Sequence, residues 1–119
     1  MKKKYLILIM AILCSCESDD FWIQYCTDCQ CDVKVQSFER AREYHISGLN
    51  SKGRKITCDV PDVWFREIMF SVGDRIIKKK GNRELELIKK DTTLYLPMSI
   101  RDSLYYNDRT VYSDLYLYE

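Results

Sequence analysis

Three of the four cysteines that follow residue 16 fall close together, at Cys26, Cys29 and Cys31, while the fourth, Cys58, sits far downstream in a second apolar run. This spacing constrains the fold more than any other feature, because a disulfide demands near Cα atoms and facing Cβ vectors. Four cysteines allow three pairings. A bridge from Cys29 to Cys31 would have to close over a single residue. The pairings that survive are Cys26–Cys29 with Cys31–Cys58, and Cys26–Cys31 with Cys29–Cys58. If Cys31 opens a strand, it shares a face with Val33 and Val35, and Cys58 shares one with Ile56 and Val60, so both sulfurs point inward. That favours the first pairing, whose long loop contributes about 3 kcal/mol in the chain-entropy model. A four-thiolate zinc site competes for the C-x-x-C spacing of Cys26-Thr27-Asp28-Cys29. Zinc ribbons, however, match one close pair with another, and here the second half offers Cys58 alone. A redox-active dithiol at the same spacing is less favoured still. The expectation is a disulfide framework with no metal and no cofactor.

Disulfides persist in oxidising compartments, and the N-terminus points to one. Lys2, Lys3 and Lys4 form a positive n-region, and Tyr5 to Leu13 a short apolar run free of charge, the layout of an export signal. A transmembrane helix needs about 20 apolar residues, and this run falls far short. Small residues precede a lipid-modified cysteine at its cleavage site, and Leu13-Cys14-Ser15 before Cys16 resembles the lipobox of bacterial lipoproteins. Cys14, with bulky Leu13 directly before it, fits that pattern less well. Glu17-Ser18-Asp19-Asp20 resembles the acidic tract that sends lipoproteins of Bacteroidota to the outer face of the outer membrane. The resemblance covers about the first twenty residues. It implies a signal peptide over 1–15, lipidation of Cys16 and a cell-surface location at the outer membrane; residues 16–24 then read as a tether and 25–119 as one small β domain. It implies nothing about what the domain does.

Removing residues 1–15 from the 119 leaves 104, enough for one compact core. Three lysines leave with the signal, so the formal charge falls from +1 to −2, which speaks against a nucleic-acid partner. His45 is the only histidine, and no nucleophile or orienting acid is placed beside it by sequence. No phosphate-cradling glycine loop and no nucleophile elbow is present. The chain does not read as an enzyme.

Strand patterns fill the remainder. Val33 and Val35 alternate with Asp32, Lys34 and Gln36, the period of a half-buried strand, and Glu39 to Arg42 break it. Extended runs over 43–49 and 54–60 flank Asn50-Ser51-Lys52-Gly53, which is hairpin chemistry. Pro61 ends the second run. In Val63 to Phe70, Trp64 with Ile68 and Phe65 with Met69 sit four apart, predicting one or two helical turns that plug one end of a barrel. Gly73-Asp74 and Lys80-Gly81-Asn82 are turns on either side of a strand at Ile76 and Ile77, with Leu85 and Leu87 returning antiparallel. Val72-Gly73-Asp74-Arg75-Ile76-Ile77-Lys78 looks like the Gly-Asp turn of small β domains such as biotinyl and lipoyl barrels, over about ten residues. The lysine pattern of a carrier domain is absent. The same phrase resembles a segment of small Bacteroidota lipoproteins, implying a domain type and no activity. Further strands are expected over 92–96, 101–106 and 110–118.

The expected fold is all-β, a small antiparallel barrel or sandwich of six to eight short strands with one short helical turn. The expected function is a membrane-anchored, non-enzymatic module that binds a protein or a glycan. An envelope-protective inhibitor or immunity protein, acting against a hydrolase or toxin, is the alternative. Two surfaces stand out. Tyr112, Tyr116 and Tyr118 share one side of the last strand, and tyrosine is enriched at interfaces. Arg75, Lys78, Lys79, Lys80 and Arg83 could gather into a cationic patch for anionic glycans, although a solvated, edge-protecting hairpin is the favoured reading of them.

Overall fold

In the computed structural model, residues 18–112 are described, and they form one helix, a 3-10 turn and nine strands in two antiparallel sheets. The order is α1 (Ser18–Asp28), β1 (Cys31–Arg40), β2 (Tyr44–Leu49), β3 (Lys55–Val60), the 3-10 turn Asp62–Trp64, β4 (Arg75–Lys78), β5 (Leu85–Lys89), β6 (Thr92–Leu96), β7 (Met98–Ile100), β8 (Ser103–Tyr105) and β9 (Thr110–Tyr112). The larger sheet runs β3-β2-β1-β4-β5-β6, and the smaller runs β7-β8-β9. The arrangement is sandwich-like and all-β in character, with no closed barrel. No helix among the described residues is long and apolar enough to cross a membrane.

The alternation in β1 explains how the core is built. Cys31, Val33 and Val35 are buried while Asp32 and Lys34 face out. Ile46 and Tyr44 on β2, Val60 on β3, Ile76 on β4 and Leu85 and Leu87 on β5 join them on the inner side. The register of β1 on β2 shifts between Val35 and Ser37, a bulge that bends the strand. Val35 thereby pairs with the turn at Gly73-Asp74, donating to the Asp74 carbonyl and accepting from the Gly73 N–H, both at 2.8 Å. Gly73 sits at φ 97°, a region glycine occupies at little cost. Opposite the bulge, a Cβ on Gly48 would lie 1.8 Å from the Lys34 carbonyl oxygen, so only glycine allows β1 and β2 to approach this closely.

Several expectations need correction. Residues 18–28 are helical, where a tether was expected as far as residue 24. The helix turns Cys26 fully inward and packs Trp22 and Ile23 against the core, leaving Phe21 exposed. Eleven residues is below the length at which a helix stands alone in water, so tertiary contacts hold it. The aromatic stretch after Pro61 makes a single 3-10 turn, and the predicted four-apart pairs do not form a helical face: Trp64 and Phe65 are buried, Ile68 and Met69 exposed. Phe70 instead returns to Phe38, Phe65 and Tyr44 in edge-to-face contacts at centroid distances of 4.6, 4.8 and 5.3 Å, the preferred aromatic geometry. The strand expected over 101–106 shortens to β8, because Arg101 adopts φ 54° in the turn that joins it to the additional strand β7. Met98 and Ile100, ahead of that turn, are the buried residues.

Candidate functional site

The Cys31–Cys58 disulfide joins the first residue of β1 to β3, with the two Cα atoms 5.8 Å apart. Above it opens a groove of about 950 Å³. One wall is β3 with the preceding hairpin, through Lys52, Arg54, Ile56, Thr57 and Cys58; the other is β4 and the turn after it, through Arg75, Ile77, Lys79 and Lys80. Asp32 is the one acid in its lining, and it is already engaged. It accepts from the Ser51 N–H at 3.2 Å and pairs with Arg75 at 3.2 Å, and these bonds, those from Ser51 foremost, hold its carboxyl below the usual range. The groove is therefore cationic on balance.

The cationic set differs from the one the sequence suggested. Lys78 borders the groove but commits its ammonium elsewhere, and Arg83 is not part of the lining. Lys78 is 2% exposed, and its ammonium donates to the carbonyls of Thr27 at 2.7 Å, Cys29 at 3.2 Å and Lys79 at 2.7 Å. It also lies 5.5 Å from the centroid of the Trp64 ring. Burial pushes its pKa down, yet all three N–H donors have acceptors, the condition under which a buried cation is tolerated. The side chain caps the carbonyl end of α1, where a positive charge is favoured. Arg83 lies over the Tyr105 ring at 5.8 Å. Lys52 and Arg54, which sequence reasoning had assigned only to a hairpin, take their place in the groove.

Cys26 and Cys29 are free thiols in the structure, and the bridge expected between them is not formed. Cys26 points into the core, and desolvation, followed by the neighbouring Cys29, pushes its thiol up to about 12. Cys29 lies past the helix end, its Sγ 3.7 Å from the Asp59 carbonyl oxygen, and burial raises its pKa too. Both sit at the carbonyl end of α1, opposite to the end that stabilises a thiolate. Among the described residues no group of three or more His, Cys, Asp or Glu side chains is placed to hold a metal ion.

His45 faces outward on β2 and meets Asp59 across the β2–β3 pair, Nδ1 to Oδ1 at 2.5 Å. That bond raises the imidazole pKa. Beside Cys29 and Asp59 lies a smaller cleft of about 410 Å³ that also exposes Phe21 and Tyr25. The Tyr25 hydroxyl donates to Glu43 at 3.0 Å and is pushed up to about 12 by that bond. Tyr112 is 71% exposed on β9; Tyr116 and Tyr118, and Cys16 at the other end, lie outside the described residues.

No known family, curated protein or solved structure matches this chain.

Proposed function

We propose that this chain is a non-enzymatic binding module, held by a lipid on Cys16 at the outer-membrane surface of a bacterium and engaging a protein or glycan partner there. The tether rests on the order of Lys2 to Lys4, the apolar run, Cys16 and the acidic tract. A cystine-pinned sheet suits an oxidising exterior. The observation that carries the binding half is the groove of about 950 Å³ across the Cys31–Cys58 bridge, in which Lys52, Arg54, Lys79 and Lys80 face solvent and the one acid is already paired.

The test is the intact mass of the protein taken from native membranes, together with labelling of intact cells by a membrane-impermeant amine reagent. A diacyl or triacyl mass on a chain beginning at Cys16, with Lys79 and Lys80 labelled on whole cells, is the expected result. An unlipidated chain, or lysines labelled only after lysis, overturns the surface tether.

A further inference from the structure

Among the described residues, β3 is the last strand on its side of the larger sheet, and its only strand partner is β2. The Asn50 N–H donates to the Arg54 carbonyl at 2.9 Å, which sets the ladder so that the even residues of β3 exchange hydrogen bonds with β2. The odd residues, Lys55, Thr57 and Asp59, then turn their backbone groups to the outer edge. The Asp59 carbonyl receives the Cys29 thiol there. Among the described residues, no backbone partner meets the N–H or C=O of Lys55 or Thr57. Ile56, Thr57 and Cys58 in succession line the groove, as they would where the edge of a strand, and not one of its faces, borders a cleft.

An unpaired edge of this kind invites an added strand. The flanking charges select which one. Lys52 and Arg54 stand at one end of the groove and Lys79 and Lys80 on its other wall, so a neutral or basic strand gains no charge pairing there while an acidic one does. The groove carries no aromatic side chain, so the stacking platform that single-stranded nucleic acids use is missing.

We infer that the groove is a docking site for an extended acidic peptide segment, which adds antiparallel or parallel to the free edge of β3 at Lys55 and Thr57 and pairs its carboxylates with Lys52, Arg54, Lys79 and Lys80. The inference rests on the binding-module reading and names its partner. Cys31–Cys58 gives the site its rigidity, since it fixes β3 against the start of β1 without the partner's help.

The experiment uses the full chain with its disulfide intact and a blocked octapeptide of alternating Glu and Thr. Binding is read by fluorescence anisotropy, and amide hydrogen exchange is followed at Lys55 and Thr57. The acidic peptide binds and slows exchange at those two amides. The same peptide N-methylated at alternate residues loses about tenfold or more in affinity, the loss expected for one to two net main-chain hydrogen bonds. K79E/K80E, two exposed turn positions, weakens binding at least as much while exchange in the core of β1 is unchanged. Three results overturn the inference: no binding of the acidic peptide, equal binding of the N-methylated one, or binding of an oligogalacturonate of the same charge with no slowing at Lys55 and Thr57. The last makes the groove a site for anionic glycans and leaves the binding-module reading standing. The mass and labelling experiment tests the tether independently of all three.

Discussion

The Lys78 ammonium donates to the Thr27 carbonyl at 2.7 Å, and the Gly81 N–H donates to the same oxygen at 2.8 Å. One carbonyl at the end of α1 thus holds both β4 and the turn that follows it. The helix is short, and this junction is what fastens it to the sheet.

Replacing Lys78 by Met keeps the stem volume and removes the donor. All three carbonyls then lose a charged donor; those of Thr27 and Lys79 keep the Gly81 and Asn82 N–H, and that of Cys29 is left without one, at a cost of about 1–3 kcal/mol. We expect urea unfolding to show a loss of about 1–3 kcal/mol. A loss below about 0.5 kcal/mol, the range of an ordinary surface change, would contradict the junction's role.

Gly48→Ala places a methyl group against the Lys34 backbone carbonyl. Backbone cannot swing aside as a flexible side chain does, so the bulge must shift. The expected cost is about 2 kcal/mol or more, with the largest chemical-shift changes at Lys34 and Val35. A variant as stable as the parent would show that the close approach is not required.

Reduction of Cys31–Cys58, or the C31S/C58S double variant, removes a crosslink spanning 27 residues. The expected loss is about 3 kcal/mol, read from thermal or urea unfolding. Thiol labelling of the native, unreduced protein should leave Cys26 unmodified until the chain unfolds, because it is wholly buried and its thiol is pushed up to about 12. Fast alkylation of Cys26 at neutral pH would refute its placement.

The Asp59 carboxylate raises the His45 pKa above its ordinary 6.5. A base whose folded pKa is raised contributes stability that is fully present below its unfolded value and is lost as pH rises through the folded one. NMR titration should place the His45 midpoint above 6.5, and Asp59→Asn should return it towards that value. An unchanged midpoint in the variant would remove Asp59 as the cause.

Much of the sheet was legible because period-two alternation and turn chemistry are local properties. Val33 and Val35, the Asn50 to Gly53 hairpin, the Gly73-Asp74 turn and the paired Leu85 and Leu87 all appear where the residues place them. The choice of Cys31 with Cys58 followed from the same alternation, since both sulfurs had to face inward. The helix was not legible. Its propensity is weak over so few residues, and what stabilises it, Lys78 on Thr27 and the burial of Cys26, comes from elements about fifty residues apart in the chain.

The amino-acid sequence by itself determined the hairpins and the inward face of β1 and β3, because each depends on neighbours within a few residues; it favoured Cys31 with Cys58 through those faces, and the fold closed that bridge across 27 residues. Only the tertiary structure decided which cations share a groove. Lys78 looked like one of a run of three exposed lysines, yet alternation along β4 turns it inward to the end of α1. Lys52 looked like an ordinary turn residue and Arg54 like the start of a strand, yet the bend at the β1 bulge and the Cys31–Cys58 bridge bring their hairpin to face Lys79 and Lys80. A charge's surroundings depend on which strands meet across space, and that is set by long-range packing, which local periodicity does not encode.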